Sequence, residues 1–306
     1  MPSGKGNAGS PAKKAASKPS DRTRSAASGK RYADRQAAKH QAALEARQRR
    51  NQRVALGAIA LVLVLVVALV LIKVSGGGGG STSGVASPPA GTPVPAATMA
   101  RLASIPLSTL KSAPTSQVAA PTAIQDKALT QGGKPELLYV GAEFCPICAA
   151  ERWAMYVALS KFGTFSPEPG RIHSAVRDGN IPTLTFYKTT YTSPYLTFVP
   201  EEIETNDPNG NTYTTLQSLT AAQQALWESH TSQSFPFVDF GGKKDLTSAQ
   251  YDPSLLEGSS FDTIAGAIGN NSTTIGAAID ASADLLVRTI CSTLTNGQPA
   301  DVCSSA

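Results

Sequence analysis

The sequence predicts an α/β domain with a central mixed sheet flanked by helices. A short apolar run, Glu136–Ala142, is typical of a buried strand. A Cys-x-x-Cys tetrapeptide, from Cys145 to Cys148, separates this strand from a helix-forming stretch. Strand-like and helical segments then alternate to the end of the chain, which is the pattern of a sheet covered by helices.

The other elements of the domain each have a local signal. The helix predicted over 146–162 has Cys148, Met155 and Leu159 at helical spacing. Turns are indicated at 207–211 and at the Gly241–Gly242 pair. The remaining predicted elements are strands over 182–188, 195–199 and 237–240, a helix capped near Thr220, and helices over 261–268 and 274–294.

The first 53 residues carry the basic excess of the chain. They contain 14 of the 27 Lys and Arg residues and three of the 22 acidic residues, which leaves 13 basic against 19 acidic residues for the remainder. Residues 1–53 lack a hydrophobic pattern and are predicted to be a disordered basic tail. Because no basic excess remains on the folded part, nucleic-acid binding is not predicted.

Residues 54–74 are predicted to be a transmembrane signal anchor. The nineteen uncharged, mostly apolar positions from Val54 to Ile72 would span about 28 Å as a helix, close to the thickness of a bilayer core. The basic tail places the N-terminus in the cytoplasm, so the C-terminal domain is predicted to be extracytoplasmic at the cell membrane. A Gly-, Ser- and Pro-rich linker over 75–97 precedes a single domain over 98–306.

All four cysteines follow the predicted span, on the side where disulfides persist. Cys145 begins the helix, where free N–H groups stabilise a thiolate, and is the predicted nucleophile. Cys148 lies one turn further and is the predicted resolving thiol. Cys291 and Cys303 are interpreted as a structural disulfide, with a second redox pair that exchanges with the first as the open alternative. The scattered histidines indicate no metal site, and no cofactor is predicted.

Several segments of the domain resemble a known family. Ala142–Cys148 is similar to the active-site strand-to-helix turn of the thioredoxin superfamily. The run Gly141–Trp153, with 191–195, 235–239 and the C-terminal cysteine pair, resembles more narrowly a prokaryotic thioredoxin-like family, the domain of unknown function 929 family. The resemblance covers 98–306 and implies a thioredoxin-like fold, but it implies no demonstrated activity.

The superfamily resemblance also implies a substrate-binding cis-proline opposite the cysteines. Pro182 and Pro236 are both candidates, and Pro236 is favoured because it follows a strand and a helix and leads into a strand with a Gly-Gly turn. Phe235 beside it is predicted to contact the substrate chain. The buried acid that many relatives carry six positions before the first cysteine is Tyr139 here. Glu143 is expected to point away from the neighbours of Tyr139 on the strand.

The sequence thus favours a membrane-anchored extracytoplasmic thiol–disulfide oxidoreductase that acts on protein thiols or disulfides, with a membrane redox partner. The alternative is a non-catalytic thioredoxin-fold binding or scaffold protein in which Cys145 and Cys148 form a structural disulfide. Delivery of a soft ion such as Cu(I) by the two cysteines is a third hypothesis. The direction of electron flow stays open, because Ile147 replaces the histidine that strongly oxidising relatives carry between the cysteines.

Overall fold

The computed structural model describes residues 91–209, 212–295 and 297–304. The predicted tail (1–53) and anchor (54–74) lie outside these residues, as does the predicted linker up to residue 90. In the part of the chain that the structure describes, no helix combines the length and the apolar character that a bilayer span requires.

Helices and strands alternate along the domain, which confirms the predicted α/β class. The helices are α1 (Ala96–Ala103), α2 (Leu107–Ser112), α3 (Pro146–Leu159), α4 (Ala221–Thr231), α5 (Phe261–Ala267), α6 (Thr274–Thr293) and α7 (Ala300–Cys303). The strands are β1 (Thr122–Ala123), β2 (Thr130–Gln131), β3 (Lys134–Gly141), β4 (Thr164–Phe165), β5 (Gly170–His173), β6 (Pro182–Thr185), β7 (Tyr191–Thr192), β8 (Thr197–Glu202), β9 (Glu204–Asn209), β10 (Thr212–Thr215), β11 (Phe237–Phe240) and β12 (Lys244–Leu246). Short 3-10 helices lie at Thr115–Gln117, Val176–Asp178 and Pro253–Leu256.

Two predicted elements are shorter than expected. The helix predicted over 146–162 ends at Leu159, where the chain turns with a hydrogen bond of 2.9 Å from the Phe162 N–H to the Leu159 carbonyl. The strand predicted over 182–188 ends at Thr185, and Lys188 adopts a positive φ of 60° that is incompatible with an extended strand.

The folded part also begins before the predicted boundary at residue 98. The backbone of Thr92 exchanges hydrogen bonds of 3.0 and 2.7 Å with Arg171. Helix α1 then buries Met99 and Leu102 on one face. The Pro- and Ala-rich composition of this stretch resembled a linker, but two apolar side chains three positions apart are enough to dock a helix.

The central sheet is mixed, as the sequence predicted. Its strand order is β1–β12–β11–β3–β2, and β8 also pairs with β3. Strand β11 runs antiparallel to β3, whereas β8 runs parallel to it, with Gly141 opposite Glu202. Since parallel strands end at the same edge of a sheet, β3 and β8 end side by side where the chain turns into α3. This pairing brings Glu202 to the turn that carries the cysteines.

Helix α3 is the centre of the hydrophobic core. It packs against α1, α6 and β6, and every residue from Cys148 to Leu159 is buried. These buried residues include Glu151 and Arg152, both with no exposed surface. A helix at the surface would turn such side chains to water. Charged groups inside α3 therefore need partners within the protein.

Candidate functional site

The two cysteines of the CxxC sequence lie together at the turn between β3 and α3. Cys145 is the N-cap residue of α3, and Pro146 occupies the first turn, where its missing N–H group removes no helical hydrogen bond. The backbone N–H of Cys148 donates a hydrogen bond of 3.1 Å to the sulfur of Cys145. Both are free thiols, and Cys145 is 4% exposed whereas Cys148 is fully buried. The helix N-terminus is therefore directed at the Cys145 sulfur.

The surroundings of the two thiols shift their pKa values in opposite directions. Burial acts to raise the pKa of Cys145, but hydrogen bonds from the side chain and backbone of Cys148 and the positive charge of Arg152 outweigh it, so the pKa is lowered. Burial and the neighbouring Cys145 sulfur raise the pKa of Cys148 well above its usual range. At neutral pH the thiolate form is thus favoured at Cys145 over Cys148.

A buried ion pair lies next to the cysteines. Arg152 donates hydrogen bonds from Nε to Glu202 Oε1 at 2.7 Å and from Nη2 to Glu202 Oε2 at 2.6 Å. Both side chains have no exposed surface. Arg152 Nη2 also donates to the Ala142 carbonyl at 2.7 Å, while Arg152 Nη1 has no hydrogen-bond partner among the described residues. The pair is bidentate, which fixes the guanidinium in one orientation.

The ring of Tyr139 also lies close to the Arg152 guanidinium. The Cζ atom of Arg152 is 5.9 Å from the centre of the Tyr139 ring, and the Tyr139 hydroxyl has no hydrogen-bond partner among the described residues. Burial raises the pKa of Tyr139 well above its usual range, so the phenol stays neutral. A Cβ atom at Gly141 would lie 2.1 Å from the Tyr139 hydroxyl oxygen, so this close approach requires glycine.

Glu143 faces the same buried network, contrary to the expectation that it would point away from the neighbours of Tyr139. Its carboxylate accepts a hydrogen bond of 2.7 Å from the Thr185 hydroxyl. Burial and the charge of Glu202 raise the pKa of Glu143 to about 7. The expectation failed because Glu143 follows the end of β3, where a bond from its N–H to the Glu204 carbonyl (2.9 Å) sets its orientation. Glu143 is thus a buried carboxyl that titrates near neutral pH.

The two candidate prolines have different surroundings. The Phe235–Pro236 bond is cis, in agreement with the preference for Pro236, and Phe235 packs against the cluster formed by Ala142 and the two cysteines. Pro182 is not cis; it begins β6, and its carbonyl accepts a hydrogen bond of 3.1 Å from Trp153 Nε1 in the core. The contact of Phe235 and Pro236 with a substrate stays a prediction.

Aromatic side chains border the cysteines on the side of the cis-proline. The Phe144 ring stacks on Tyr213 from the β9–β10 hairpin, with centroids 4.2 Å apart, and meets Phe235 edge-on at 6.0 Å. Phe235 also stacks on Trp227 at 5.0 Å. Phe144, Phe235 and Ile147 are only partly buried. These rings form an apolar border beside Cys145.

One family model matches the chain, over residues 120–212. The matching model is described as a domain of unknown function (DUF929). The match confirms the predicted resemblance to the 929 family. The DUF929 segment contains the CxxC sequence, Arg152 and Glu202, and it ends before Phe235 and Pro236. None of the curated proteins and none of the solved structures gave a match.

The second cysteine pair lies outside the DUF929 segment and is joined by a disulfide. Cys291 at the end of α6 bonds to Cys303 at the end of α7, with the two Cα atoms 5.5 Å apart. Cys291 belongs to the main core cluster, and Cys303 packs against it. Cys145 and Cys148 belong to a separate cluster. This difference in surroundings favours the structural interpretation of the disulfide over an exchange partner for Cys145.

Sequence reasoning did not identify the Arg152–Glu202 pair. A signal for Arg152 was present, because it follows Cys148 by four positions and thus lies on the same face of the predicted helix. Glu202 gave no such signal, since it lies 50 positions from Arg152 and reaches it only through the pairing of β8 with β3.

Among the described residues, Cys145 and Cys148 are the pair of free cysteines, and thiolate sulfur is a soft ligand of the kind that Cu(I) prefers.

Proposed function

We propose that this chain is a membrane-anchored, extracytoplasmic thiol–disulfide oxidoreductase with a thioredoxin-like fold. The observation that carries the proposal is the difference between the two thiols. Cys145 accepts a hydrogen bond at the N-terminus of α3 and has a lowered pKa, whereas Cys148 is fully buried with a raised pKa. Disulfide exchange needs one thiol that is activated for attack and a second thiol that stays protonated until the mixed disulfide has formed. The mixed sheet, with the CxxC turn between β3 and α3, supports the fold assignment.

The proposed reaction consists of two exchanges. The Cys145 thiolate attacks one sulfur of a substrate disulfide, forms a mixed disulfide and expels the other substrate sulfur as a thiolate. Cys148 then loses its proton and attacks the Cys145 sulfur, which releases the second substrate thiolate and leaves a Cys145–Cys148 disulfide. Two electrons pass to the substrate; the proton that Cys148 loses goes to one of the two substrate thiolates, and the other thiolate replaces the negative charge of Cys145. A membrane partner with a dithiol then reduces the Cys145–Cys148 disulfide. If the partner instead carries a disulfide, it oxidises the two cysteines, and the pair then oxidises substrate thiols by the reverse of these steps.

The apolar border beside Cys145 favours unfolded protein chains as substrates. Phe144, Ile147 and Phe235 are partly exposed around the cysteine cluster. Val176, in the 3-10 helix Val176–Asp178, is 83% exposed. It lies near Phe144, because the N–H of the preceding residue, Ala175, donates a hydrogen bond of 2.9 Å to the Phe144 carbonyl. An exposed apolar surface of this kind binds apolar side chains in preference to small charged thiols. Phe235 and Pro236 are proposed to contact the extended substrate chain.

Alkylation of the reduced protein tests the proposal. With a limiting alkylating agent we expect Cys145 to react first, and its rate to titrate with a midpoint below the ~8.5 of a free thiol, because the helix end and Arg152 stabilise its thiolate. Cys148 is expected to react only after unfolding. Peptide mapping by mass spectrometry across a pH series measures both rates.

A second candidate, a non-catalytic binding or scaffold protein, is favoured by one observation. Cys145 is 4% exposed, and disulfide exchange requires a substrate sulfur to reach it. In that case neither native thiol would be alkylated before global unfolding. Preferential labelling of Cys145 under native conditions therefore selects the oxidoreductase, and equal protection of both cysteines selects the scaffold.

The proposed membrane topology has its own test. The basic tail and the apolar segment 54–74 support an N-terminus in the cytoplasm and a domain outside. A membrane-impermeant protease, added to intact cells whose outer barrier has been opened, is expected to digest the domain and to spare the tail. Immunoblots against a tag at each end measure the result. Digestion of the tail with protection of the domain would reverse the proposed orientation.

A further inference from the structure

The buried Arg152–Glu202 pair is a costly feature that the exchange reaction does not itself require. Two charges without exposed surface lose their hydration, and a well-packed apolar pair of similar volume is often at least as stable. A buried ion pair is thus weak evidence for a role in stability. Its position beside the cysteines indicates a different role.

One carbonyl group links the ion pair to the reactive turn. The Ala142 carbonyl accepts hydrogen bonds from Arg152 Nη2 at 2.7 Å and from the Cys145 N–H at 3.2 Å. Ala142 also packs against the side chains of both cysteines. Arg152 follows Cys148 by one helical turn and therefore lies beneath it on the same face of α3. The guanidinium and the backbone of Cys145 are therefore hydrogen-bonded to the same carbonyl group.

Glu202 is hydrogen-bonded to only one edge of the Arg152 guanidinium. Glu202 engages Nε and Nη2, while the buried Nη1 has no hydrogen-bond partner among the described residues. In a medium of low polarity a charge acts over several ångströms with little screening. The Arg152 charge accordingly acts to lower the pKa values of Cys145 and of Cys148.

We propose that the Arg152–Glu202 pair sets the balance between the dithiol and the disulfide forms of Cys145 and Cys148. Arg152 attracts negative charge to the two sulfurs and so stabilises the reduced, thiolate form, and Glu202 limits that attraction. This control rests on the oxidoreductase function proposed above and deepens it. Arg152 touches neither the substrate nor a reacting sulfur and is a positioning residue.

Two other titratable side chains, Tyr139 and Glu143, lie close to the pair. Tyr139 from β3 remains neutral, because burial raises its pKa well above its usual range. Glu143 after β3 has a pKa raised to about 7 by burial and by Glu202, and Asp207 from β9 adds to that effect. Because Glu202 and Arg152 both shift the pKa of Glu143, the variants are compared in a Glu143→Gln background, in which this position carries no charge at any pH.

Two variants of the pair are expected to shift the thiols in opposite directions. Glu202→Gln keeps the shape of the side chain but leaves Arg152 uncompensated, so the alkylation midpoint of Cys145 should fall by about one pH unit. At equilibrium with a glutathione redox buffer, at a pH above the wild-type midpoint, the ratio of dithiol to disulfide should rise by up to about tenfold. The double variant Arg152→Met/Glu202→Met removes both charges. The alkylation midpoint of Cys145 should therefore rise, and the fraction of protein in the disulfide form should increase.

Glu151→Gln is the matched control. Glu151 is also fully buried in α3, but its carboxylate accepts a hydrogen bond from the Gln250 N–H at 3.1 Å, whereas the carboxylate of Glu202 forms the ion pair with Arg152. This variant should leave both thiol measurements unchanged. If the pair had only a structural role, Glu202→Gln and the double variant would shift the alkylation midpoint of Cys145 in the same direction.

Opposite shifts of the two variants support the proposal, and shifts in the same direction or no shift overturn it. If Glu202→Gln does not fold, as judged by circular dichroism, the double variant decides alone, since its midpoint must rise. Failure of the oxidoreductase function is distinguishable, because the wild-type protein would then show no preferential alkylation of Cys145 and no exchange with glutathione.

Discussion

Cys148→Ser is expected to convert the protein into a covalent trap for its substrates. Cys145 can still attack a substrate disulfide in this variant, but the sulfur that resolves the mixed disulfide is missing. Complexes that migrate above the free protein on non-reducing gels, and that collapse on reduction, should therefore accumulate with unfolded thiol proteins. Cys148 has no exposed surface and packs in an apolar cluster with Ala142, so Cys148→Ala, which adds no hydroxyl that must lose its hydration, serves as a second trapping variant.

Cys145→Ser is the matched variant and should trap nothing. Its turnover in a disulfide-reduction assay should fall to the uncatalysed rate, because the hydroxyl of serine does not ionise near neutral pH. The double variant Cys145→Ser/Cys148→Ser should resemble it. Trapping by Cys145→Ser rather than by Cys148→Ser would exchange the roles of the two residues. Absence of complexes with either variant, in proteins that remain folded, would contradict the oxidoreductase function.

The local sequence was sufficient to predict the reactive turn. A strand, two cysteines three positions apart and a helix are contiguous in the chain, so the position of Cys145 at the helix N-terminus follows from short-range signals alone. Three strands of the mixed sheet, β3, β8 and β11, were predicted from local apolar runs, whereas the short strands β1, β2 and β12 were not. Strand ends were less well predicted; β6 stops at Thr185 because the following residues turn.

The electrostatic part of the site could not be predicted in this way. Arg152 and Glu202 meet because β8 pairs in parallel with β3, and that register depends on the whole sheet. The burial of α3 on all faces was also hidden, because the apolar spacing of its sequence is equally compatible with a half-exposed helix. The pairing of Phe144 with Tyr213 likewise depends on the β9–β10 hairpin, whose sequence indicates only a turn. Long-range pairing determines which charges and rings surround a thiol.

Removal of the Cys291–Cys303 disulfide is expected to lower the stability of the domain by several kcal/mol. The bond closes a loop with a sequence separation of 12 between the end of α6 and α7. Replacing both cysteines with Ser should lower the free energy of unfolding by about 2–4 kcal/mol, because the unfolded chain regains the freedom that the bond removes. Urea denaturation followed by tryptophan fluorescence measures this loss. Alkylation of Cys145 should keep its wild-type rate, since the two pairs belong to separate clusters.

A variant with Ala at both positions separates the bond from the polarity of the new side chains. Cys291 is 6% exposed, so a serine hydroxyl there loses hydration that an alanine methyl group does not need. An equal loss of stability in the Ser and Ala variants therefore assigns the effect to the missing bond. Loss of turnover in either variant, with the fold retained and Cys145 still alkylated at its normal rate, would instead show that the pair relays electrons. In that case the disulfide would be a second redox site, and its structural interpretation would be wrong.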